Sequence, residues 1–209
     1  MSTAFKSCNV ALFPSVAVGQ QAIEWSKNVS THFKTKYVLD WQTCHPHITL
    51  YQAHYPINNL AIVQESLAKV TQKFSQFDID MQSFSALSGF VFYDAAKSTE
   101  LVSLHIAVLE TLNPLREGIL TAADRQILTD SRVHEKIKQN IQQYAYAFAK
   151  ESYTPHMSIT RLVDYQEANK AKKLLQTKVM QFTAHELLLT NVGDDGTCNE
   201  IYARFPLQT

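Results

Sequence analysis

Pro46-His47-Ile48-Thr49-Leu50 and Pro155-His156-Met157-Ser158-Ile159 share one pattern: proline, histidine, apolar, hydroxyl, apolar. In an extended strand successive side chains alternate faces. His47 and Thr49 then share one face while Ile48 and Leu50 point into a core, and the second string divides in the same way. Two such strands, each presenting an imidazole and a hydroxyl to one cleft, could hold a phosphate between two acid/base groups. The chain has eight histidines, and average Ser and Thr usage puts a hydroxyl two residues after one of them about once by chance. The shared prolines and the matching apolar positions raise the pair above that background.

Around the strings, strands and helices interleave. A strand over 10–13 ends at Pro14, and Ala22, Ile23, Trp25 and Val29 mark a helix over 20–33. Strands are expected over 37–41 and 45–51, and a helix over 60–74 behind Asn58 and Asn59 as N-caps. Alternation over 77–93, interrupted by Gly89, reads as two strands; 101–104 reads as another, and a helix spans 133–148. After the second string, Asp164 and Glu167 form a capping-box pattern leading into a helix to about 180. A strand over 182–190, the Gly193-Asp194-Asp195-Gly196 turn and a strand over 199–205 complete the chain. The order helix, His-bearing strand, helix, further strands occurs in each half, with no Pro-, Gly- or Ser-rich linker between. The expectation is a single bilobal domain over 1–209, one string per lobe.

The 209 residues are 45% hydrophobic and 18% charged, the balance of a globular chain able to bury a core. Nineteen basic and nineteen acidic residues cancel. A grip on long nucleic acid usually brings a basic excess, so a small nucleotide or a short RNA end is the expected partner. Cys8, Cys44 and Cys198 are scattered without a CxxC pair, which points to a reducing, cytoplasmic setting. Cys44 reads as a small buried thiol rather than a catalytic or zinc-binding one. No apolar run reaches membrane-spanning length, and the stretch after Lys6 is broken by Pro14 and Ser15, as in a strand rather than a signal peptide.

His47-Ile48-Thr49-Leu50 and His156-Met157-Ser158-Ile159 resemble the paired H-x-[ST]-hydrophobic motifs of the 2H phosphoesterase superfamily, which includes RNA 2′,3′-cyclic phosphodiesterases, also called 2′-5′ RNA ligases. The second string, continuing to Thr160-Arg161, is the closer match; the first continues as Tyr51-Gln52-Ala53-His54 and departs from the ligase-like branch, which usually has an aromatic and a glycine nearby. The resemblance implies an α+β fold of two similar lobes, their antiparallel sheets facing a central cleft and helices packed outside. It also implies a metal-independent cyclic phosphodiesterase that leaves a 2′-phosphate.

The residues suit that chemistry. Two imidazoles can serve as base and acid near neutral pH, on opposite sides of phosphorus; which takes which role is not legible. Thr49 and Ser158 would donate to the non-bridging oxygens. Neither string carries the further ligands of a metal site, and the chemistry asks for no cofactor. By alternation Tyr51 shares the face of His47 and could reach substrate, as readily as it could be a sheet-edge tyrosine, whereas Arg161 opposes His156 and is the weaker substrate contact. His45 reads as a spare surface histidine, Phe13 as core, and the 193–196 turn as a hairpin connection rather than a phosphate cradle. A nucleotide- or RNA-end-binding module without turnover is the alternative of another class.

Overall fold

A computed structural model describes residues 4–209. Within them, eight strands form one antiparallel sheet: β1 (Phe5–Leu12), β2 (Ile48–Pro56), β3 (Phe77–Leu87), β4 (Phe90–Ala95), β5 (His156–Arg161), β6 (Met180–Ala184), β7 (Glu186–Asn191) and β8 (Ile201–Pro206), in the spatial order β6-β3-β4-β5-β2-β1-β7-β8. The two string-bearing strands are neighbours at the centre. They meet through the pair Ile48 and Met157, the apolar residue that follows each histidine.

Six α-helices of the described residues accompany the sheet: α1 (Val16–His32), α2 (Leu60–Thr71), α3 (Thr99–Leu112), α4 (Ala122–Thr129), α5 (Glu135–Tyr144) and α6 (Ala168–Lys172). None of them is long and apolar enough to cross a membrane. The sheet halves do not coincide with the halves of the sequence. One half is β6-β3-β4-β5 with α1 and α6 against it; the other is β2-β1-β7-β8 with α2 and α3. The chain therefore crosses the seam repeatedly, and both ends of the sequence contribute to the half that holds His47.

Several expected elements change identity. Residues 101–104 are helical, not a strand: Ser98 caps α3 by accepting from the Leu101 amide, and Leu101, Leu104, His105, Val108, Leu109 and Leu112 form one buried helical face. Residues 37–41 cross from α1 to β2 without pairing as a strand. The helix expected to run to about 180 stops at Lys172, and the strand expected over 182–190 is two, β6 and β7, which lie in opposite halves. Periodicity over so few residues does not distinguish a buried helix turn from a buried strand.

Candidate active site

In each string the histidine ring reaches back across the preceding proline. The Nδ1 of His47 lies 2.8 Å from the carbonyl of His45, and that of His156 lies 2.7 Å from the carbonyl of Thr154. A carbonyl only accepts, so Nδ1 carries the proton and Nε2 is left as the basic nitrogen in both rings. The bond spans the intervening proline in both cases, whose fixed φ helps to hold the upstream carbonyl in place. That gives the prolines a physical role beyond marking the pattern.

Both rings line one cavity of about 330 Å³ at the seam, together with Thr49 and Ser158. Phe90, Phe92, Tyr146 and Phe148 form its aromatic wall. The His156 ring is tilted against Phe92 at 4.2 Å between centroids and lies edge-on to Phe148 at 5.7 Å. A second hollow of about 450 Å³ lies on the other side of His156, sharing Phe92 and Phe148 and bounded by Asp94 and the exposed Lys97.

Strict alternation fails at the last residue of each string, and in the same way. Val10 pairs with Tyr51 and Ala11 with Thr49, so Leu50 is an extra residue in β2; Phe92 pairs with Ser158 and Val91 with Thr160, so Ile159 is an extra residue in β5. A β-bulge of this kind reverses which face later side chains take. Tyr51 therefore turns into the core, fully buried, with its hydroxyl donating to the Tyr144 carbonyl at 2.8 Å. The expectation that Tyr51 reaches substrate is corrected. Gln52 takes its place in the cavity wall, and Arg161, five residues after its histidine as Gln52 is after His47, lines the cavity too. Alternation alone misassigned both sides.

The first bulge is tied down from outside the sheet. The Thr49 carbonyl accepts from the Tyr153 hydroxyl at 3.1 Å, and the Leu50 carbonyl accepts from His105 Nδ1 at 2.6 Å. His105 Nε2 in turn accepts from the Lys150 amide at 3.0 Å, and its ring stacks on Tyr153 at 3.9 Å.

Asn9 and Cys198 were not singled out from sequence, and both back the first string. Asn9 is fully buried; its Nδ2 donates to Thr49 Oγ1 at 3.0 Å and to Cys198 Sγ at 3.2 Å. Thr190 Oγ1 lies 3.0 Å from the same sulfur, and the Cys198 carbonyl accepts from the His45 amide at 2.9 Å. Burial opposes the thiolate of Cys198, but His47 beside it and these donors outweigh burial and lower its pKa. Burial likewise opposes charge on His47, yet Cys198 and the His45 carbonyl raise its pKa above the ordinary value. His156 moves the other way: burial lowers its pKa against the Thr154 carbonyl, and His47 adds repulsion. On the second string Ser158 meets the phenol of Tyr37, which burial keeps protonated.

His45 is half-buried rather than a free surface side chain, and lies 5.2 Å from the Phe13 ring. Cys8, Cys44 and Cys198 are all buried free thiols. Among the described residues no three His, Cys, Asp or Glu side chains group as metal ligands.

The fold has relatives. LigT of E. coli in its apo form is 11% identical, with a TM-score of 0.57 over 99% of each chain. TT0787 of Thermus thermophilus is 12% identical, with a TM-score of 0.61 over 97% of this chain and 98% of that one. The MHV ns2 PDE domain is 13% identical, with a TM-score of 0.52 over 90% and 99%. LigT has also been solved with phosphate, 3′-AMP, ATP and NADP+. At such identities the likeness is one of fold, and it agrees with the fold expected from the paired motifs. No curated protein sequence matches the chain significantly. The family model described as "Protein of unknown function (DUF1045)" matches residues 55–193. The chain thus belongs to the DUF1045 family, and its fold is the LigT-like fold of the 2H phosphoesterases.

Proposed function

We propose that this protein is a metal-independent phosphodiesterase that hydrolyses a cyclic phosphate of a nucleotide, a short RNA end or a related ribose compound. One observation carries the reading: two imidazoles from adjacent strands, each with Nδ1 tied to a carbonyl, line one cavity with two hydroxyls. Binding alone does not call for two acid/base groups of that kind.

In this reading the phosphorus lies between the rings. Asn9 donates to the Thr49 oxygen, which leaves the Thr49 hydrogen free for a non-bridging phosphate oxygen; Ser158 acts from the other side. Cys198 backs His47 while Phe92 and Phe148 flank His156, and the two environments push the pKa values apart, the usual basis for dividing acid from base. His156 takes the proton from water as the water oxygen bonds to phosphorus. The bond from phosphorus to the ribose 3′ oxygen breaks, and His47 protonates that oxygen, leaving a 2′-phosphate. The aromatic wall suits a nucleobase or ribose, and the hollow beyond His156 has room for the next nucleotide of an RNA end. The nucleotide complexes of LigT support a ligand of this size. A reducing cytoplasmic setting belongs to the same reading, supported by three unpaired cysteines.

The test is turnover of nucleoside 2′,3′-cyclic phosphates and a cyclic-phosphate-ended oligonucleotide in EDTA. His47→Ala and His156→Ala are each expected to lose about 100-fold or more in kcat. Loss of activity in EDTA, or its survival in both variants, contradicts the proposal. Tight binding without turnover favours the binding module instead.

A further inference from the structure

The turn between β7 and β8 carries a carboxylate into the cavity. Asp195 adopts the left-handed conformation, φ 57° and ψ 23°, inside the short turn Asp194–Gly196. Asp and Asn tolerate this region better than other side chains. Asp195 and Gly196 both line the cavity between the histidines and the aromatic wall.

There Asp195 pairs with Arg161 Nη1. The other guanidinium arm, Nη2, donates to the Tyr165 hydroxyl at 2.8 Å, and the group lies 4.6 Å from both the Phe90 and the Tyr165 ring centroids. Arg161 Nε is buried without a partner. Among the described residues Arg161 is the one lysine or arginine lining this cavity, so Asp195 cancels the permanent positive charge there. An anion approaching Arg161 meets the carboxylate as well. A bidentate grip on a phosphate would require an arginine fork that is not already engaged.

Charge separates substrate from product in a cyclic phosphodiesterase. A cyclic diester carries one negative charge, whereas the monoester gains a second near pH 6. We propose that Asp195 is a specificity-determining residue: as a fixed counter-anion to Arg161 it favours a singly charged phosphodiester over a doubly charged phosphomonoester, and so opposes retention of the product. The proposal rests on the phosphodiesterase reading for its biological sense, but its charge selection is measurable by binding alone.

The measurement is the affinity of adenosine 2′-monophosphate, by calorimetry at about pH 8, beside the KM for adenosine 2′,3′-cyclic phosphate. Asp195→Asn keeps size and left-handed tolerance, and Asp195→Ser is the second variant; thermal unfolding checks that both fold. Removing the carboxylate is expected to tighten the monoester about tenfold and to change the KM of the diester about threefold or less. Equal changes for both ligands, no change, or no monoester binding by any of the proteins overturns the proposal. If wild type turns over no cyclic phosphate, the diester affinity is read by calorimetry instead. A selective tightening of the monoester then leaves charge selection standing while the enzymatic reading falls.

Discussion

A histidine base and a histidine acid must hold different protonation states at one pH, and here their neighbours differ accordingly. In the proposed reaction His156 has to be neutral, so kcat/KM is expected to rise with pH through its depressed pKa; His47 has to be charged, so the rate is expected to fall as pH passes its raised one. Replacing Cys198 with alanine removes the sulfur beside His47. The alkaline limb of the pH–rate profile is expected to move to lower pH while the acid limb holds, and an unmoved alkaline limb would contradict the assignment. Asn9→Ala is expected to lower kcat about tenfold with a smaller effect on KM, because it frees the Thr49 oxygen from its donor. Equal losses in kcat and KM would reduce Asn9 to a packing residue.

At the scale of the element, the paired bulges govern the site. His105 satisfies the Leu50 carbonyl and the Lys150 amide, and both are orphaned in a His105→Phe variant. Urea denaturation is expected to show a loss of about 2–4 kcal/mol. His105 also has a pKa lowered by burial, against the raising effect of the Leu50 carbonyl. Below about pH 6.5 the unfolded chain takes up a proton that the folded ring resists, so stability falls as pH drops toward the folded pKa. His105→Phe should flatten part of that slope; an unchanged slope would exclude His105 as its source. These bulges also mark where sequence reading stopped. The His and hydroxyl positions were legible because they precede the extra residue, and two-residue alternation holds up to Thr49 and Ser158. Tyr51, Gln52 and Arg161 follow it, and nothing in Leu50 or Ile159 announces a bulge. Asn9 and Cys198 were invisible for another reason. They reach the first string across the sheet from positions 40 and 151 residues away from Thr49 and His47.

At the scale of the molecule, the strand order weaves the sequence through both halves, with β7 returning to pair with β1 and β8 with β7. No single cut separates one half from the other. A fragment over 1–150 retains β1–β4 but lacks β5 at the seam and β7 beside β1, and is expected to show no cooperative thermal transition; a sharp one would mean that the halves fold independently. The same weave brings Asp195 from one half against Arg161 of the other, beside two histidines that lie 109 residues apart in sequence. The central claim is that these histidines act together on one phosphorus, and the pH dependence of kcat/KM in EDTA on a nucleoside 2′,3′-cyclic phosphate tests it most directly. The expected curve is a bell, rising below about pH 6.5 and falling above it, and both histidine→alanine variants should lose about 100-fold or more at its maximum. A profile that is flat or has one limb, with activity surviving in either variant, would contradict it.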